Sequence, residues 1–415
     1  MKHFYTVIIT VILFLPLHSF AETKEIISEG TYNMGDGETP SVAESRALLQ
    51  AKRTALEQAG TYVESWTKVE NLQLTKDEIQ VLASGIMEVE ILDKKRTVVR
   101  EGEGIHFWVQ IKAKVNPDKI EEMAKRVKEK SVVEDYKKIQ EAYDKSQREI
   151  EELKKQLAGA KGEKEKKQVE AKITDKERLF EANQWFEKGY DYDINKEYDN
   201  AIEAYTKAIQ LDPNYAEAHY NRGLSYSSKG QYDKAVEDYS RAIIINPNYT
   251  DAYYRRGRTY YSKVQYDKAI DDFNKVISID PNYHDPMYIG IYLNRYNQGN
   301  SAIYYWCGMA YYHEGQYDQA INNFDKAISI GSTDAVLYNT RGMMYDLKGL
   351  HDKAIEDYSK SITLDPKHAD AYYYNRGNAS LKLGNIKKAI SDFQKACDMG
   401  YENGCKNLQM ALEKR

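Results

Sequence analysis

The chain has 415 residues, 30% of them charged, with 59 Lys and Arg against 64 Asp and Glu and a formal net charge of −5. That mild acidity gives no electrostatic reason to expect nucleic acid as a partner. Length and composition together imply two globular parts joined by an extended linker.

The chain opens with Lys2, an apolar run from Phe4 to Leu17, and Ser19-Phe20-Ala21. A basic start, a short apolar core and a small-x-small end predict a secretory signal over residues 1–21. The run is short for a membrane span, which needs about 20 residues. Cleavage is expected, the alternative being an uncleaved anchor. No cysteine lies near Ala21, so a lipoprotein route is closed. Lys2 is the one charged residue before Glu22, so removing the signal shifts the formal charge from −5 to −6. No later segment is apolar enough to cross a bilayer. The expectation is an exported protein without a transmembrane span, periplasmic, or else membrane-anchored or secreted.

Residues 22–116 do not repeat. A strand is expected over Glu25–Asn33, ended by Gly35 and Gly37. Ala43, Ala47, Leu48, Ala51, Ala55, Leu56, Ala59 and Val63 recur at helical spacing, predicting a helix from Ser41 to about Lys68. Thr75-Lys-Asp-Glu78 is a capping signature before a second helix. Two alternating runs, Met87–Arg100 and Ile105–Val115, flank a Gly-containing turn and predict a hairpin. This is a small α+β domain. The stretch Ala47 to Ser65, Val69-Glu-Asn and the closing hairpin resemble the N-terminal domain of a flagellar assembly protein of the bacterial outer-membrane rings, a domain related to small envelope lipoproteins. The resemblance covers about 90 residues and implies an envelope module without known catalysis. The rest of that assembly protein is absent here, so a flagellar role does not follow.

Residues 117–181 turn to Lys, Glu and Gln. Tyr136, Ile139, Tyr143, Ser146, Ile150, Leu153, Leu157 and Ala160 alternate at three and four, an a/d seam. A second helical stretch near Val169–Leu179 follows. Two readings stand: a coil over 133–160 that pairs with a second copy of the chain, or a solvated spacer or hairpin.

From residue 182 to the C-terminus the chain repeats itself. Gly189, Gly223, Gly257, Gly308, Gly342 and Gly377 are spaced by 34, 34, 51, 34 and 35. A large ring precedes each by four: Trp185, His219, Tyr253, Tyr304, Tyr338, Tyr373. Alanine follows each by twelve and a further ring by sixteen, as in Ala235 and Tyr239. Proline closes four units, at Pro213, Pro247, Pro281 and Pro366. These residues resemble the tetratricopeptide pattern Trp-x2-Leu-Gly-x2-Tyr…Ala-x3-Phe…Pro. The leucine is mostly replaced, by Arg222, Arg256, Arg341 and Arg376. The resemblance implies a mainly α fold: an α-solenoid of about six helix hairpins preceded by a charged helical linker and the α+β domain.

In such arrays helix A lines the concave face. Here that face is predicted to carry Tyr220, Tyr254, Arg258, Tyr261, Tyr305, Met309, Tyr312 and Asn339. Tyr- and Met-rich surfaces suit protein or peptide partners. The competing reading is plain abundance, since 31 of the 36 tyrosines lie in this stretch. The wide spacing implies an insert near 283–299 with one extra helix and a local irregularity in the stacking. Acidic pairs such as Glu237-Asp238 and Glu356-Asp357 recur at one repeat position and read as a solvated helix face. Cys397 to Cys405 spans a glycine-rich turn and resembles the disulfide-linked hairpins of Sel1-like repeats. That resemblance implies a Cys397–Cys405 disulfide. Cys307 is expected to be a free core thiol.

No nucleophile elbow, His-Glu-x-x-His or phosphate-binding loop is present. No catalytic residue, cofactor or metal site is therefore expected. The reading is a non-enzymatic scaffold or adaptor of the bacterial cell envelope, binding envelope proteins or peptides through the concave face. Its alternative is a self-associating structural component of an envelope assembly.

Overall fold

The computed structural model describes residues 23–34, 39–69, 74–98, 105–116, 119–120, 124, 130–283, 301–330 and 334–413. The expected signal, residues 1–21, lies outside them, as does the insert over 284–300. The chain divides into two compact units, the second beginning at Glu129.

The first unit is an antiparallel sheet with one long helix laid on it. Strands β1 (Lys24–Met34), β2 (Met87–Val98) and β3 (Ile105–Val115) are ordered β1-β3-β2. Helix α1 (Pro40–Val69) presents Ala43, Ala47, Ala51, Ala55, Ala59 and Val63, all buried at four-residue spacing. An alanine stripe lets helix and sheet backbones approach closely. The approach is tightest at Gly30, where an added Cβ would stand 2.0 Å from the Ala47 carbonyl oxygen. Beside it the Ser28 hydroxyl donates to the Ala51 carbonyl oxygen at 2.7 Å. Helix α2 (Lys76–Ile86) starts on the expected cap, with Thr75 and Glu78 exchanging both hydrogen bonds.

The second unit opens with α3 (Lys130–Gly159) and α4 (Glu163–Ile194), which pack against each other as an antiparallel hairpin. Ile139, Ser146, Ile150 and Leu157 of the predicted seam are buried, and Leu157 shares a core with Val169 and Ile173 of α4. At Leu153 and Leu157 the seam is therefore filled from within the chain, as the hairpin reading expects. Helix α4 also runs unbroken through position 181. Its last third is helix A of the first repeat, so linker and array have no boundary there.

Repeat 1 is completed by α5 (Tyr198–Leu211). Repeat 2 pairs α6 (Ala216–Ser228) with α7 (Tyr232–Ile245), and repeat 3 pairs α8 (Thr250–Ser262) with α9 (Tyr266–Ile279). Repeat 4 is α10 (Ser301–His313) and α11 (Tyr317–Ser329); repeat 5 is α12 (Ala335–Leu347) and α13 (His351–Leu364). Repeat 6 is α14 (Asp370–Lys382) and α15 (Ile386–Asp398). A last helix, α16 (Glu402–Glu413), is bonded to α15 through Cys397–Cys405 and covers Phe393 and Ala389 with Ala411 and Leu408.

Stacking continues across the insert. Ile303, Cys307 and Ala310 of repeat 4 share one core with Tyr254, Phe273 and Val276 of repeat 3. The expected irregularity is absent from the described residues, since repeats 3 and 4 share that core directly.

Each A–B turn needs one residue in the left-handed region. Gly230, Gly315, Gly349 and Gly384 supply it at φ between 71° and 75°. Repeat 1 uses Lys196 at φ 61°, and repeat 3 uses Val264 at φ 60°, a β-branched residue where that conformation is costly.

The array is tied laterally by a polar ladder. Arg256 holds Asp272 with two parallel bonds, Nε at 2.8 Å and Nη2 at 2.7 Å, and its Nη1 donates to Ser240 of the preceding repeat at 2.9 Å. Arg222 does the same to Asp238 and Thr206, Arg341 to Asp357 and Asp325, and Arg376 to Asp392 and Ser359. Asp238, Asp272, Asp357 and Asp392 are buried, between 3% and 6% exposed, while Asp325 is exposed. Of each recurring acidic pair, Glu237 and Glu356 are exposed as expected, but Asp238 and Asp357 are not, which corrects the sequence reading there: a carboxylate meeting a planar guanidinium fork can be taken inside. In repeat 4 both partners change together, to Cys307 and Asn323.

Candidate functional site

The predicted face residues fall into two groups. Tyr220 and Tyr254 are core side chains, 9% and 1% exposed. Tyr254 sits between Phe273 of its own repeat, at 6.1 Å between ring centroids, and Tyr283 at the repeat's end, at 5.6 Å. Tyr220 is held likewise by Tyr239 and Tyr249, Phe186 by Tyr205 and Tyr215, and Tyr374 by Phe393 and Tyr401. This ring position of helix A therefore packs between helix B and the chain leaving it. Tyr220 and Tyr254 are corrected from surface contacts to packing residues.

The other group gathers where repeats 3 and 4 meet. The Arg258 guanidinium lies 4.0 Å from the ring centroid of Trp306, and its Nη1 donates to the Tyr254 hydroxyl at 3.3 Å. Tyr261 and Tyr305 meet the same indole edge-on at 5.2 and 5.4 Å. His313 stacks on Tyr266 at 4.7 Å and touches Tyr261 and Tyr312. Arg258, Tyr261, Tyr305, Trp306 and Tyr312 are half-buried and His313 is exposed. Burial pushes the Tyr261 phenol up to about 12, and it raises Tyr305 with help from Asp334 and against the pull of Arg258. Both are neutral donors at physiological pH.

This is a rigid aromatic platform around one cation. Such groups anchor interfaces well, because large rings with few rotatable bonds lose little entropy when covered. Met309 lies beside it, packed with Tyr305, Tyr312 and Met343. Asn339 stands apart in repeat 5, donating to the Met343 sulfur at 3.7 Å and accepting from Asn375 at 2.9 Å. Trp306 was missed by the sequence reading because it lies two residues before its repeat glycine, off the positions counted for that face. Its signal was being the one tryptophan in repeats 2 to 6.

A second feature lies on helix A of repeat 1. The Ser225 hydroxyl donates to Asp193 Oδ1 at 2.7 Å. Tyr205 is wholly buried; its hydroxyl faces the same carboxylate without reaching hydrogen-bond geometry. Burial pushes Asp193 up to about 7, against the pull of the Ser225 and Tyr205 hydroxyls.

Cys397 and Cys405 are joined, and Cys307 is free and buried, with burial pushing its thiol up to about 12. Among the described residues no group of three or more His, Cys, Asp or Glu could hold a metal ion, and no helix is long and apolar enough to cross a membrane.

A family profile described as "Tetratricopeptide repeat" matches residues 216–249, 250–283 and 335–368, and a second of the same description matches 301–334 and 370–403. One described as "TPR repeat" matches 189–230. No curated protein matches the chain. Among solved structures, the MamA protein is 26% identical over 45% of this chain and 93% of its own, with a TM-score of 0.40. YrrB, described as a TPR protein with an unusual peptide-binding site, is 24% identical over 52% of this chain and 98% of its own, with a TM-score of 0.41. PilF of Pseudomonas aeruginosa is 14% identical over 57% of this chain and 99% of its own, with a TM-score of 0.42. Residues 189–283, 301–368 and 370–403 of this chain are tetratricopeptide repeats, a fold that serves as a scaffold for protein–protein interaction.

Proposed function

We propose that the protein is a non-enzymatic adaptor of the bacterial cell envelope that binds a peptide segment of a partner protein along helix A of its repeats. The observation that carries this is the platform of Arg258, Tyr261, Tyr305 and Trp306 across repeats 3 and 4. A stacked, half-buried guanidinium and ring edges supply hydrogen bonds and apolar area at one place. Export is supported by Lys2 and the Phe4–Leu17 run, and by a Cys397–Cys405 bond that suits an oxidising compartment. The α+β unit then provides the second attachment, to a component of the envelope.

The test is an array of twelve-residue peptides probed with the full chain, wild type and Arg258→Glu. The reading expects a defined set of binders in the micromolar range and loss of that set with Arg258→Glu at an unchanged melting temperature. Binding that ignores the substitution, or none at all, would remove the platform as the site.

A further inference from the structure

Repeats 1 and 5 alone carry a carboxylate four residues after the repeat glycine, Asp193 and Asp346. Each lies near a helix-B tyrosine at the same offset, Tyr205 and Tyr358. Their surroundings then differ. Asp346 accepts from Lys382 Nζ at 2.7 Å, reaching across from repeat 6, and pairs with His351 Nδ1 at 2.6 Å. The positions that supply those two groups are Ser228 and Tyr198 next to Asp193, and no cation pairs with Asp193 among the described residues. Ser225 on the next helix A donates to it and Tyr205 on helix B faces it, with Tyr239, which also feels Arg255 of repeat 3, behind; Tyr190 and Asp191 surround Tyr205. The wholly buried Tyr205 hydroxyl aimed at it lacks an acceptor or donor of ordinary geometry.

We propose that Asp193, backed by Ser225 and Tyr205, receives the ammonium or guanidinium group of a basic side chain on the bound peptide. The incoming cation takes the place that Lys382 fills for Asp346 within the chain. This rests on the reading of the array as a peptide binder, and it adds a charge requirement two repeats away from Arg258. A half-buried carboxylate backed by hydroxyls, with no cation paired to it among the described residues, is completed by a cation. A cation also holds Asp193 ionised, so binding through this site strengthens from pH 6 to pH 8.

The test uses the peptides that bind the full chain, each remade with every Lys or Arg replaced in turn by norleucine. Wild type should lose about tenfold or more in affinity when one basic residue is neutralised, the scale of a charge-assisted bond. Asp193→Asn should bind both versions equally. Ser228→Lys, a change at an exposed position that installs the repeat 5 arrangement, should do the same and keeps the test open if the first variant folds poorly. Binders indifferent to neutralisation, or a basic preference that survives both variants, would overturn the assignment and leave the peptide-binding reading intact. Absence of any peptide binding would overturn both.

Discussion

Replacing Arg256 by the leucine typical of its repeat position tests the lateral ladder. The substitution removes both bonds to Asp272, at 2.7 and 2.8 Å, and the bond to Ser240. Asp272 is 4% exposed, and burial already raises its pKa against the pull of Arg256. Left without the guanidinium, it becomes an uncompensated buried charge, costing about 3–5 kcal/mol. Asp272→Asn alone keeps an oxygen for the fork and leaves Ser240 in place, so it should cost about 1–3 kcal/mol. The double variant approximates what repeat 4 contains, where Cys307 and Asn323 replace the pair. It should cost far less than the sum, with a coupling of about 2–3 kcal/mol. Urea unfolding of the three variants, followed by circular dichroism at constant m-value, measures this. Additivity within about 0.5 kcal/mol would refute the ladder as an energetic unit.

Other substitutions probe separate parts of the account. Val264→Gly relieves a β-branched residue held at φ 60° in an exposed turn and should stabilise the array by about 1 kcal/mol; a lower melting temperature would contradict the strain. Gly30→Ala drives a methyl into the backbone of α1, with contacts of 2.0 and 2.4 Å to Ala47 and Ala51. It should cost several kcal/mol, on the order of the worst overpacking, read as loss of the first unit's unfolding transition with the array's unchanged. Asp193 holds its proton to about pH 7 when folded and to about pH 4 when unfolded, so the folded state binds the extra proton in between. Stability from this group is full below pH 4 and falls as pH rises to 7. Asp193→Asn should therefore match wild type near pH 4 and exceed it at pH 8 by about 2–4 kcal/mol, a gap that thermal melts across pH would show.

The repeat architecture was legible because small residues, rings and turn breakers recur at fixed offsets, and the stacking needs each of them. Ala235, Ala269 and Ala354 are wholly buried, as the close helix–helix approach requires. The α+β unit was legible from alternation and from the Thr75–Glu78 cap. What misled was reading each residue type alone. Asp238 and Asp272 looked solvated until the arginines sixteen residues earlier were seen to reach them. That coupling was in the sequence, four times over, with a joint change in repeat 4. Tyr220 and Tyr254 looked like surface because helix periodicity places them there. Tyr249 and Tyr283, arriving from the end of each unit, cover them, and a period of one helix cannot reveal a neighbour outside it. Asp193 was passed over because its distinction lies in the missing cation, visible only beside Asp346.

The most direct test of the central claim is photo-crosslinking in cells from benzoylphenylalanine at Ser262 and His313, exposed positions flanking the platform, with mass spectrometry of the products. The account predicts one and the same envelope protein captured from both positions, and its loss with Arg258→Glu. Capture of only a second copy of this chain, or of nothing at either position, would contradict it.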